Sequence, residues 1–191
     1  MRTYKMDLAL LNALHRKLSE CQGNLLWDGL DQDGRNAMIE LIARENHDKH
    51  VVVLCENDRR VNQLTVMLRQ VLDISVLAIY QRSHLPVEVL AKEENDGDRV
   101  SALYLLANNE PCVIVANTMA LFDNYPTVDY FLSGVEKLHV GHEVSQEEFL
   151  QRILELGYTE SSICDQAGSF ARRGGIIDVF SKNYLQPIRI E

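Results

Sequence analysis

The sequence predicts an α/β protein in two parts: a parallel-sheet domain over residues 1–134, then a small α+β domain over residues 135–191 that ends in an antiparallel meander. Three observations carry this. Apolar runs of strand length at residues 51–55, 74–80 and 112–116 alternate with stretches of helical periodicity, the order produced by β-α-β crossovers in a parallel sheet. Beyond Gly134 the rhythm changes to one strand, one helix and then short β-rich pieces. Finally, Gly174 and Gly175 separate Arg172-Arg173 from Ile176-Ile177-Asp178-Val179-Phe180, so a residue pair that tolerates a tight turn joins segments that favour a pleated surface.

Taken in order, Leu8, Leu11, Leu14 and Leu18 fall at spacings of three and four and predict an amphipathic helix over residues 7–20. Leu25-Leu26-Trp27 predicts a short strand, Asp28 to Gly34 a turn, and Met38, Leu41 and Ile42 a helix after it. Val51-Val52-Val53-Leu54-Cys55 is continuously apolar, which suits a strand covered on both faces. A helix from Asp58 to Val71 presents Val61, Leu64, Leu68 and Val71 on one side, and a strand spans Ile74 to Tyr80. Residues 91–98 are charged and predict an exposed loop, followed by a helix with Val100, Leu103, Tyr104 and Leu106 and a strand from Cys112 to Ala116. Asn124-Tyr125-Pro126 interrupts the pattern. Val135 to Val140 reads as a strand, Ser145 with Glu148 forms a capping box, and the helix it opens carries Phe149, Ile153, Leu154 and Leu156 up to Gly157.

Composition narrows the function classes. The 191 residues are 46% hydrophobic and carry a formal charge of −9, so a core can form, while a surface that holds duplex phosphates by itself is disfavoured. No apolar run approaches the roughly 20 residues of a membrane span, and no secretory leader is visible, so the cytoplasm is expected. The scattered Cys21, Cys55, Cys112 and Cys164 read as reduced thiols.

Three candidate sites follow. Gly29, Gly34, Arg35 and Asn36 occupy what would be a phosphate-binding loop, but Arg35 and Asn36 stand where Lys and Ser/Thr are needed, and Asp31 and Asp33 add repulsion, so an inactive, P-loop-like remnant is expected. His47 with His50, and His139 with His142, lack further ligands at metal spacing, and no nucleophile-base-acid set is apparent; no metal, cofactor or catalytic residue is assigned. Arg173 and Arg189 flank the β-rich run. Guanidinium is a planar, permanently charged fork that suits carboxylates on a partner.

The residues from Gly168 onward decide between these. Gly168, Phe170, Arg173-Gly174-Gly175-Ile176-Ile177-Asp178-Val179-Phe180 and Pro187 with Arg189-Ile190-Glu191 resemble the signature of the second domain of bacterial transcription-repair coupling factors, a module shared with the UvrB component of the nucleotide-excision nuclease. Leu85-Pro86-Val87-Glu88, Asp98-Arg99-Val100, Leu103-Tyr104 with Leu106, and Val113-Ile114-Val115 extend the likeness upstream. Only Val89 to Asp98 lies where UvrB inserts a long damage-probing hairpin, so the coupling-factor branch fits better.

The resemblance implies a degenerate nucleotide-binding-like first domain and a second domain that docks on the repair protein UvrA through Arg173 and Arg189. It further implies that ATP, Mg²⁺, RNA polymerase and double-stranded DNA engage only regions of the family outside this sequence. Ser169 departs from the family pattern, which often has an acid there, and the sequence stops before the aromatics that follow the last motif. An edge strand at that end is expected to promote self-association. Two rivals are a nucleotide hydrolase using the Gly29 to Asn36 loop and a UvrB-like domain that binds damaged DNA.

Overall fold

The computed structural model describes residues 13, 16, 17, 20, 23–82 and 96–191. The leucines of the expected 7–20 helix, Cys21, and Leu85 to Glu88 lie outside the described residues. The elements are α1 (Gln32–Glu45), β1 (His50–Cys55), α2 (Asp58–Val71), β2 (Val76–Ile79), α3 (Asp96–Ala107), β3 (Cys112–Asn117), a 3₁₀ turn (Thr118–Phe122), α4 (Val128–Ser133), α5 (Gln146–Glu155), and β4 (Thr159–Glu160), β5 (Ser169–Arg173), β6 (Ile176–Phe180) and β7 (Ile188–Ile190).

β1, β2 and β3 form a parallel sheet in the order β1-β3-β2. Side-chain alternation splits its core in two. On one face Val113 and Val115 of β3, Val76 and Ala78 of β2 and Cys55 of β1 pack under Val61, Leu64 and Leu68 of α2 and Ala43 of α1. On the other, Ile114, Ala116, Leu77 and Ile79 meet Ala102 of α3 and Ala120 of the 3₁₀ turn.

The uniformly apolar β1 departs from the doubly covered strand its composition predicts. It is one of two edge strands, and Val52 and Leu54 are 52% and 48% exposed, whereas β2 at the other edge is buried at all four positions. The central β3, in contrast, is buried at all six positions. Composition could not tell an edge strand from a central one, because both read as the same β-branched run.

Further expectations are corrected. Residues 24–28 form no strand, and Leu26 stands 94% exposed. Helix α1 begins at Gln32, inside the expected turn, because Asp31 caps it by accepting from the Gly34 amide at 2.7 Å. Residues 135–140 are also irregular rather than a strand, and residues 96–98 of the expected loop are already α3. Cys164 is only partly buried, unlike Cys55 and Cys112, whose thiol pKa values burial pushes up.

The second sheet is mixed. β4 runs parallel to β5, while β5-β6-β7 is the antiparallel meander that the glycine pair predicts, with Gly174 at φ +61° in the β5-β6 turn. Helix α5, capped by Ser145, presses Phe149, Leu150 and Ile153 onto Phe170, Ile177 and Val179.

A buried ion pair ties the first sheet together. Arg99 on α3 meets Asp123 at 2.9 Å, with 7% and 8% of the two side chains exposed. The same guanidinium donates to the Tyr80 carbonyl beyond β2 and to the Tyr125 hydroxyl, and lies 5.3 Å from the Tyr125 ring centre. Burying that charge is tolerable because every side of it finds an acceptor or a π face.

Candidate partner-docking face

The register of the meander sorts its side chains. Phe170, Ile177, Val179 and Ile190 point to α5 and the core. Asp178 pairs directly with Arg189 across β6 and β7, and Arg173 pairs with Ile176, two positions along from Asp178. Strand alternation therefore puts Arg173, Asp178 and Arg189 together on the outer face, away from α5. Arg172 has the opposite parity and joins Leu150, Leu154 and Phe170 around a groove on the α5 side.

Asp178 is the centre of this face. Its carboxylate accepts from Arg189 Nε at 2.7 Å and Nη2 at 3.0 Å, a fork that fixes the guanidinium plane. The hydrogen bond from Arg189, with added attraction from Arg189 and Arg173, holds the Asp178 carboxyl below its ordinary value, and the same pair raises Arg189. Arg189 remains 56% exposed, so donors not used on Asp178 stay open to a partner. Arg173 reaches the Ser162 carbonyl at 3.4 Å and is otherwise exposed. Sequence reasoning singled out the two arginines and missed Asp178 between them; the signal available was its period-2 spacing within Ile176 to Phe180 opposite Arg189.

The other candidates fall elsewhere. Gly34, Arg35 and Asn36 form the first turn of α1, where Asn36 accepts from Arg60 of α2 at 2.5 Å. Gly29 precedes the helix and donates to its neighbour Asp28. His50 contacts the Glu110 carbonyl and His47 the Arg44 carbonyl. Among the described residues there is no group of three His, Cys, Asp or Glu side chains arranged for a metal. No described helix is long and apolar enough to cross a membrane.

With this face in view, residues 137–191 match the family model of the UvrB interaction domain, the part of the chain that contains α5 and the whole meander. The chain is 29% identical to the transcription-repair-coupling factor of Bacillus subtilis (strain 168) over 185 residues, which is 96% of this chain and 15% of that protein. It is 27% identical to the factor of Staphylococcus aureus (strain MRSA252) over 173 residues, 89% of this chain and 15% of that protein.

Both of these relatives are transcription-repair-coupling factors.

The match is consistent with the N-terminal region of such a coupling factor, as the motif from Gly168 to Glu191 implies. The chain spans about 15% of the length of the coupling factors it matches. The interaction-domain match also covers both arginines and Asp178.

Proposed function

We propose that the outer face of the second sheet docks on UvrA and so recruits nucleotide-excision repair to a stalled RNA polymerase. The observation that carries the reading is the convergence of Arg173 and Arg189 on one exposed face with Asp178 between them, inside the segment that matches the interaction domain. Asp178 orients Arg189 before a partner arrives, which lowers the ordering cost of binding, and the free guanidinium edges suit carboxylates on UvrA. The chain itself acts as a recruiting module rather than a catalyst. ATP-driven displacement of polymerase and duplex-DNA contact belong to parts of the coupling factor outside it, and the cytoplasm is its place of work.

The test is capture of purified UvrA by the intact chain and by an Arg173→Ala/Arg189→Ala double variant. Capture should fall at least about tenfold, because arginines at interface centres are among the residues that dominate binding energy, while the thermal unfolding midpoint stays in place. Equal capture by both forms would remove the arginines from the interface and the reading with them.

A further inference from the structure

We propose that the cavity at the carboxyl end of β1 is a binding site for a small polyphosphate anion, with inorganic pyrophosphate as its simplest member, held by Arg35, Arg59 and Arg60. The cavity has a volume of about 380 Å³ and is lined by Gln32 and Arg35 from α1, Glu56 and Asn57 from the β1-α2 connection, and Arg59 and Arg60 from α2. It lies beside the place in the sheet where ligands bind. After β1 the chain passes to the face covered by α2, and after β3 it passes to the opposite face with the 3₁₀ turn, so the connections diverge at the carboxyl ends of these neighbours. Open α/β sheets receive ligands outside such a divergence. Here the middle of the crevice is closed by Asp58, which accepts from Asn117 at 2.6 Å, and the open space lies to the α1 side.

The charge of the lining runs against that of the chain. Three arginines and one glutamate surround the cavity, whereas the whole protein carries −9. Elsewhere Arg44, Arg69, Arg99, Arg152 and Arg189 each meet a carboxylate within 4.0 Å. Among the described residues Arg35, Arg59 and Arg60 have no such partner. Two nearby acids are committed elsewhere: Asp31 caps α1 through the Gly34 amide and Asp58 is held by Asn117. Neither lines the cavity. Three guanidiniums gathered around one carboxylate, that of Glu56, keep a net positive charge and repel one another, and an anion between them lowers that cost.

Arg60 is already fixed in place by Asn36. The residues that disqualify a lysine-and-hydroxyl phosphate loop, Arg35 and Asn36, thus contribute one fork directly and position a second. Three forks offer more donors than a single phosphate can use, and the volume sits at the small end of ligand cavities, which together favour two linked phosphoryl groups.

Calorimetric titration of the intact chain with inorganic pyrophosphate tests this, with sulfate at equal ionic strength as the simple-anion control. Pyrophosphate should bind at least tenfold more tightly than sulfate. Arg35→Ala/Arg59→Ala should weaken it by about tenfold or more, Arg35→Lys/Arg59→Lys should retain part of the affinity, and Arg173→Ala/Arg189→Ala should leave it unchanged. Circular dichroism on each variant separates lost binding from lost folding. Affinity equal to that of sulfate, binding indifferent to Arg35 and Arg59, or displacement of pyrophosphate only by a single-stranded oligonucleotide that binds far more tightly would each overturn the proposal.

Discussion

Asp178 shows how one side chain can set the chemistry of a face. Its carboxylate holds Arg189 in a two-point fork and feels Arg173 nearby, and both lower its pKa from the ordinary 3.8. The sign follows directly. A carboxyl whose folded pKa lies below its unfolded value contributes stability and order that are complete above the unfolded value and disappear as pH falls through the folded one. The fork should therefore persist throughout the neutral range and open only in strong acid. A carboxyl-detected NMR titration should place the Asp178 midpoint below 3.8 in the native chain and return it toward 3.8 in Arg189→Ala. A native midpoint at or above that value would mean the fork is absent in solution, and Arg189 would then meet a partner without preorganisation.

Elements were legible in the sequence to the degree that their local pattern excluded alternatives. Helix α2 spans Asp58–Val71 as its apolar spacing predicts, because a four-position stripe in fourteen residues has no competing reading and Asn57 supplies the cap. The meander was legible for the same reason: two glycines between β-branched runs leave few options, and the register that joins Arg189 to Asp178 follows from the pairing. The misses share a cause. Residues 25–27 and 135–140 carry strand-like composition, yet neither finds a ladder to pair with, and a strand exists only through its neighbour. Two-residue β4 is too short to have a period at all. The arginine face needed two strands brought into register, and the cavity needed α1, β1 and α2 in place, so only their individual residues could be seen beforehand. At this scale Phe170 is the keystone of the second sheet, 1% exposed between α5 and β6. Phe170→Ala should cost about 3–5 kcal/mol in denaturant unfolding of the intact chain. A loss under about 1 kcal/mol would place the centre of that core elsewhere.

At the scale of the whole molecule, the question is how the sheet that carries the arginine face is joined to the sheet that carries the cavity. Three contacts among the described residues contribute to the junction. Lys137 lies 5.5 Å from the centre of the Tyr104 ring on α3, and Arg152 of α5 donates to the Ser133 carbonyl at the end of α4. The third is Gly97, in the first turn of α3, which runs so close to the Lys182 carbonyl beyond β6 that a Cβ there would collide with backbone atoms. A collision with a flexible side-chain end could be relieved by a rotamer change, but a carbonyl moves only if the 181–184 turn moves with it. Gly97→Ala should raise intrinsic helix propensity by up to about 1 kcal/mol and yet lower the stability of the chain, because the lost approach outweighs the gain. Hydrogen exchange locates the effect. Amides around Lys182 and Tyr184 should exchange faster in the variant while those of β1 and β3 keep their protection, the pattern of a junction that opens without melting either core. Unchanged exchange at Tyr184 together with a raised unfolding midpoint would show that the two sheets do not meet at Gly97, and the junction would then rest on contacts such as those of Lys137 and Arg152.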